Sequence, residues 1–207
     1  MEFSKYYQDA DVQSFGDNQV LIQGAVETLK PLKASNRSPL HLVLAGFHPS
    51  NGSADQFRRF CTTTFSGIAQ RRIYLDMNKE PLDSVREKEV TRIQNRIEVF
   101  DFGEEVLDLV FLNGTFNYMD GEQLKKLATK ARTELKPTGA LIAALHTPNV
   151  EDKALMEKID ERYKEIGVKP FLRSVDQTAK LMSPLELTYQ NTDGKWSVMV
   201  LKNSPSS

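Results

Sequence analysis

Four groups of residues in this sequence are of types that bind or transform a polar ligand. The first is Leu42-Val43-Leu44-Ala45-Gly46-Phe47-His48-Pro49-Ser50-Asn51-Gly52, an apolar run that breaks into small and turn-forming residues. A helix-like segment starts just after it, near Ser53. Strand, glycine-containing loop and helix are how open α/β sheets build a site for an anionic or polar ligand. Glycines such as Gly46 and Gly52 let the backbone come close, and the free amides of the helix start face the ligand. The second is Asp76, the acid that ends Arg72-Ile73-Tyr74-Leu75, 24 positions after Gly52. Met77 follows it, and Asp101 closes a second short run, Ile97-Glu98-Val99-Phe100. The third is Asn113-Gly114-Thr115-Phe116-Asn117-Tyr118, placed after the apolar run 107–112. Asn113, Phe116 and Tyr118 either line a pocket or, in the case of the two rings, pack under the loop. The fourth is the pair His48 and His146, whose imidazoles titrate near neutrality and suit a general base. His48 reads as such a base or, more plainly, as a loop residue bonded to backbone.

These residues need strands to deliver them and helices to cover the strands. Residues 41–46 read as the first strand, 72–76 as the second, 97–101 as the third, 107–112 as the fourth and 140–145 as the fifth. The near-continuous apolar character of 107–112 suits a central parallel strand buried on both faces. Helices are expected over 53–66, with Phe57, Phe60, Cys61 and Phe65 on one side, and over 81–92, with Pro81 in the first turn. Asp120 with Gln123 resembles a capping box, and Leu124, Leu127, Ala128, Ala131 and Leu135 then form one stripe. Lys136-Pro137-Thr138-Gly139 is expected to stop that helix, and another begins near Asn149. Leu185, Leu187 and Tyr189 alternate, Asn191-Thr192-Asp193-Gly194 is a turn, and Trp196, Val198 and Val200 alternate again, as in an antiparallel hairpin. Before all of this, residues 17–30 read as a helix, with Leu21, Ile22, Ala25, Val26 and Leu29 at helical steps. The chain therefore divides into an N-terminal helical extension over 1–39, an α/β domain over 40–203 and a loose tail over 204–207.

The bulk numbers narrow the function classes. With 207 residues, 40% hydrophobic, 27% charged and a net charge of −1, the chain has the composition of an ordinary soluble domain. No strong electrostatic footprint for nucleic acid or membrane is present. Arg58-Arg59 and Arg71-Arg72 read as solvated faces in preference to a basic patch. The single cysteine, Cys61, excludes an internal disulfide and leaves too few thiols for a cysteine-rich zinc site, so no metal site is expected. No stretch approaches the ~20 apolar residues of a membrane helix. The residues from Met1 to Tyr7 lack a basic start and apolar core, so a cytoplasmic location is expected.

Strands alternating with helices imply a parallel, doubly wound sheet, to which a closing hairpin is an unusual addition. On these elements the chain resembles the class I S-adenosylmethionine-dependent methyltransferase family, over about residues 40–201. Three passages carry the resemblance: Ile73-Tyr74-Leu75-Asp76-Met77-Asn78-Lys79-Glu80-Pro81-Leu82, Leu107-Asp108-Leu109-Val110-Phe111-Leu112, and Glu134-Leu135-Lys136-Pro137-Thr138-Gly139-Ala140-Leu141-Ile142. The third is similar to the family's "L-K-P-G-G" turn, with Thr138 for the first glycine. The resemblance implies a seven-stranded, mostly parallel sheet with an antiparallel C-terminal hairpin, and S-adenosylmethionine as cofactor. It implies that Gly46, Asn51 and Gly52 back the methionine part and that Asp76, with Met77 beside it, binds both ribose hydroxyls. A carboxylate accepts two hydrogen bonds at once. Asp101 would meet the adenine amino group, and Asn113 to Tyr118 would border the sulfonium and the methyl acceptor.

Methyl transfer from a sulfonium is a direct displacement, so alignment supplies much of the rate and a base is needed only if the acceptor must lose a proton early. Candidate catalytic residues are accordingly few: His48, His146 and Tyr118. The chain departs from the family in its first loop, where Ala45 stands near an acid's place and Phe47-His48-Pro49-Ser50-Asn51 replaces a tight glycine turn. The sequence thus supports a methyltransferase acting on a small-molecule or macromolecular acceptor that it does not identify. The alternative is a non-catalytic protein of the same fold that acts as a binding or regulatory partner. A nicotinamide-dependent dehydrogenase is disfavoured by the absent fingerprint and the hairpin. The absence of an N/D-P-P-Y/F tetrapeptide after 107–112 argues against amino methylation of DNA bases.

Overall fold

A computed structural model describes residues 39–47, 53–104, 106–147, 153–165, 169–192 and 196–203. The expected helix over 17–30 and the loop residues His48, Asn51 and Gly52 lie outside these residues. Seven strands form one sheet. They are β1 (Leu40–Ala45), β2 (Gln70–Asp76), β3 (Thr91–Gln94), β4 (Leu107–Asn113), β5 (Leu135–His146), β6 (Leu185–Thr192) and β7 (Trp196–Asn203). Their order across the sheet is β3-β2-β1-β4-β5-β7-β6. The first five run parallel and β7 pairs antiparallel with both β5 and β6.

The apolar strands sit centrally because each of their faces meets its own core. Leu42, Leu44, Leu109, Phe111, Ile142 and Val198 point to one side, with Phe57 and Cys61 of helix α1 (Ser53–Thr64) and with Phe65 just beyond it. Val43, Ala45, Val110, Leu112, Leu141 and Met199 point to the other, beneath Leu124, Leu127, Ala128 and Ala131. Those four belong to a later helix (Gly121–Glu134) whose capping box is present: Asp120 Oδ1 accepts from Gln123 N–H, and Gln123 Oε1 accepts from Asp120 N–H. Trp196 lies in the first core, as a hairpin core residue would.

Several elements differ from expectation. The third strand is Thr91–Gln94, and residues 97–99 form a turn. The helix expected over 81–92 is only six residues, α2 (Lys79–Ser84), and Val85 beyond it is extended. The Gly121–Glu134 helix, α3, stops before Lys136-Pro137-Thr138-Gly139 as expected, but β5 begins at Leu135 and takes those four residues in as an irregularity. Leu135 pairs with Leu107, the register shifts before Leu109, and a Cβ on Gly139 would lie 2.7 Å from the Leu107 carbonyl oxygen. Glycine is what lets the two backbones approach there. Helix α4 spans Lys153–Glu165, and an unforeseen helix, α5 (Val175–Leu181), is capped by Ser174 and Gln177. No described helix is long and apolar enough to cross a membrane.

Candidate active site

The parallel strands place their C-terminal residues on one edge. Asp76 registers with Gln94, Ala45 with Leu75 and Leu112, and Asn113 with Ala144. Single backbone bonds extend the ladders past the strand ends: Gly46 N–H to Leu75 O at 3.0 Å, Asn95 N–H to Asp76 O at 3.0 Å and Gly114 N–H to Ala144 O at 2.9 Å. The edge therefore gathers Gly46, Phe47, Asp76, Met77, Gln94, Asn95, Asn113 and His146.

Asp76 is the most constrained of these. It is buried, and its carboxylate accepts from Phe47 N–H at 3.2 Å, Asn78 N–H at 2.8 Å and Asn78 Nδ2 at 3.3 Å. Burial pushes its carboxyl above the usual range, and these hydrogen bonds partly oppose the rise. The neighbouring Met77 is one of two large apolar side chains left exposed among the described residues, at 56%. Gln94 reaches back toward the Met77 carbonyl at 3.5 Å.

The first loop leaves the sheet at Gly46, whose φ of 68° favours glycine. A Cβ there would lie 2.4 Å from Thr115 Oγ1. Phe47, bulky where the resemblance implies a close approach of cofactor, points away from the edge. It is buried and meets Tyr74 edge to face at 5.7 Å.

After β4 the chain turns through Gly114, with φ 75°, into a 3-10 turn (Thr115–Tyr118). Phe116 and Asn117 are buried beneath it, so Phe116 packs under the loop, while Tyr118 and Asn113 are half-buried. The Asn117 amide donates to His146 O at 3.0 Å and accepts from His146 N–H at 2.8 Å. The His146 ring lies 5.4 Å from the Trp196 ring, and Thr147 beside it shares a 2.7 Å hydroxyl bond with Ser197. A strap at 171–173 crosses the same turn. Phe171 N–H donates to Asn117 O at 2.7 Å, and Arg173 donates to Met119 O at 2.9 Å. Burial lowers the Arg173 pKa, and its guanidinium lies 5.0 Å from the Phe171 ring centroid.

Asp101 is not part of this gathering. It lies in the connection between β3 and β4, beyond the turn at 97–99. Its carboxylate accepts from Gly103 N–H at 2.8 Å, and it borders a shallow groove of about 670 Å³ along α3 that also includes Glu134. Glu134 closes α3 where β5 begins, at the opposite edge of the sheet, and bonds Phe102 N–H at 2.8 Å. Residues at the end of β3, Gln94 and Asn95, occupy the place beside Asp76 instead. Sequence reading passed them over because β3 has one half-buried residue, Ile93, and no apolar run. Asn117 fell within the third group without being singled out; its only signal was a short polar side chain within a post-strand loop.

The site can hold a polar ligand with adjacent hydroxyls. Asp76 accepts three hydrogen bonds of about four that a carboxylate takes, so it retains acceptor capacity. Met77 supplies exposed apolar surface beside it, and Phe47 turns into the core, away from that surface. Among the described residues no cluster of His, Cys, Asp and Glu is arranged to hold a metal ion. Cys61 is buried, and its thiol pKa is pushed far up by that burial, which leaves it inert.

Comparison with known proteins agrees with this arrangement. Residues 56–143 match the family model described as a methyltransferase domain. No curated protein matches the chain. Among solved structures, the PH0226 protein of Pyrococcus horikoshii OT3 is 12% identical with a TM-score of 0.61, the match covering 99% of each chain. An S-adenosylmethionine-dependent methyltransferase of Mesorhizobium loti is 16% identical with a TM-score of 0.61, covering 88% of this chain and all of that one. Geranyl diphosphate C-methyltransferase of Streptomyces coelicolor A3(2), solved with S-adenosyl-L-homocysteine, is 12% identical with a TM-score of 0.59, covering 87% and 76%. At these identities the likeness establishes a shared fold.

Proposed function

We propose that this chain is a class I methyltransferase, a reading supported by the methyltransferase domain matched over residues 56–143 and by its strand order, and that its edge residues serve the reaction as follows. S-adenosylmethionine, when bound, supplies a methyl group already activated on a sulfonium. Asp76 holds the ribose through its remaining acceptor capacity. Met77 covers one face of the adenine, and Gln94 and Asn95 offer amide groups to its polar edge. The Gly46 backbone borders the methionine part, with Asn51 and Gly52 completing the loop. Asn113 and Tyr118 line the acceptor side, with His146 as the group able to take a proton there if the acceptor carries one. Orientation by these residues supplies the rate, since the displacement needs little else from the protein.

The observation that carries this reading is the buried Asp76 carboxylate between the Gly46–Phe47 backbone and exposed Met77. The methyl acceptor, a small molecule or a macromolecule, and a cytoplasmic location belong to the same proposal. Isothermal titration with S-adenosylmethionine and S-adenosylhomocysteine tests it. Micromolar binding is expected, weakened at least about tenfold in Asp76→Ala by the lost hydrogen bonds. An unchanged dissociation constant in that variant would remove Asp76 from the site. No heat at millimolar ligand would favour the non-catalytic alternative.

A further inference from the structure

The Ala45–Phe47 backbone is gripped from two sides. On the β2 side, Asp76 Oδ2 accepts from Phe47 N–H at 3.2 Å. On the β4 side, Thr115 Oγ1 donates to Ala45 O at 3.1 Å and lies 3.5 Å from Gly46 O. The Thr115 side chain also packs on the bare face of Gly46, where a Cβ would meet its Oγ1, Cγ2 and Cβ at 2.4, 3.1 and 3.3 Å. Strands β1 and β4 stop pairing at Ala45 and Leu112, so beyond that point no backbone ladder joins the two loops. Thr115, three residues further on, makes the connection with a side chain. Gly46 leaves the sheet at φ 68°, and beyond its own N–H bond to Leu75 O the backbone as far as Phe47 is held by the side chains of Asp76 and Thr115.

We propose that Thr115 is a positioning residue for the cofactor site: its hydroxyl fixes the Gly46 backbone at the distance from Asp76 that the ligand spans. This rests on the cofactor reading above. It assigns Asp76 a second task, since the same carboxylate that meets the ribose also holds Phe47 N–H.

The test compares Thr115→Val, which keeps the shape and loses the hydroxyl, with Thr115→Ser, which keeps the hydroxyl. Thr188→Val, which removes the hydroxyl that donates to Val200 O at 3.3 Å in the hairpin, is the control. The probe is S-adenosylhomocysteine, by titration calorimetry on the full chain, with amide hydrogen exchange at Gly46 and Phe47 in the free protein. Thr115→Val is expected to weaken binding about three- to tenfold, the value of one net hydrogen bond, and to speed exchange at Phe47. Thr115→Ser and Thr188→Val are expected to stay within about twofold of the parent, a change too small to count as a lost hydrogen bond. Equal affinity in Thr115→Val and the parent overturns the proposal, and so does Thr115→Ser binding as weakly as Thr115→Val. A parent chain that binds nothing overturns the cofactor reading instead. In that case unchanged exchange at Gly46 and Phe47 in Thr115→Val still overturns the grip.

Discussion

Asn117 and His146, 29 residues apart, exchange two hydrogen bonds through the asparagine side chain, at 3.0 and 2.8 Å. The amide acts as one more rung of sheet: it satisfies the last N–H and C=O of β5 past the final pair with β4, Asn113–Ala144. The same residue accepts from Phe171 through its backbone carbonyl, so one buried residue joins the turn after β4, the end of β5 and the strap at 171–173.

Removing that side chain leaves two backbone groups of His146 without their partner. Asn117→Ala is expected to lose about 1–3 kcal/mol of unfolding free energy, the desolvation cost of stranded polar groups. Urea denaturation would show it as a lower midpoint at constant slope. Hydrogen exchange at His146 N–H should quicken selectively, and uniform exchange across the sheet would contradict a local role.

A methyl group at Gly139 has no room. Gly139→Ala places a Cβ 2.7 Å from Leu107 O and 3.0 Å from Lys136 O, both backbone atoms that cannot swing aside. A loss of about 1–3 kcal/mol is expected from this overpacking. Retention of parental thermal stability would show that β4 and β5 separate there without cost.

Asp108 is buried at the N-terminal edge of the sheet, where it accepts from His41 N–H and Lys136 Nζ, each at 2.8 Å. Lys136 is partly exposed, so solvent screens the pair and its coupling is modest. Lys136→Met is expected to cost more in the parent than in an Asp108→Asn background, with a coupling of about 1 kcal/mol in a double-mutant cycle. Additive losses would mean that Lys136 contributes packing alone. Binding of S-adenosylhomocysteine should be unaffected, because the pair lies at the edge opposite Asp76.

Asp76 predicts opposite pH trends for stability and for binding. Its carboxyl is held above the ordinary 3.8 by burial, so the folded chain binds that proton more tightly than the unfolded one. The stabilising contribution of the protonated form is fully present below 3.8 and is lost as pH rises through the raised folded value. Ligand affinity should rise over that same window, as the ionised carboxylate becomes available to ribose hydroxyls. Asp76→Asn should flatten both trends. Parallel trends, or a binding curve unaltered by the substitution, would assign the pH effect to another group.

The central architecture was readable because its signals are local and strong. The apolar runs of β1, β2 and β4, the Asp120–Gln123 box and the alternating hairpin each state their own secondary structure, and their order implies a parallel, doubly wound sheet closed by a hairpin. Asp76 was readable for the same reason, as an acid at the end of an apolar run. The misplaced third strand shows the limit. Thr91–Gln94 is a four-residue edge strand that buries almost nothing, so its sequence needs no pattern, whereas Ile97-Glu98-Val99-Phe100 has the composition of a strand and forms a turn. Asp101 was carried to the wrong end of the sheet with it. Lys136–Gly139 has turn residues and is an irregular insertion between the pairs Leu107–Leu135 and Leu109–Ala140, which β5 carries without ending.

By itself the sequence determined which segments are buried strands and helices and which acid ends β2, because hydrophobic period and capping chemistry act over a few residues. Tertiary structure decided what those residues face. It turned Phe47 into the core against Tyr74, set Gln94 and Asn95 beside Asp76, and brought Thr115 onto Gly46 and Asn117 onto His146. Those contacts span from 18 to 69 residues of chain, and nothing within a local window encodes them. They follow only when parallel strands align their ends in register and leave the loops beyond the last rung to be satisfied by side chains from neighbouring turns.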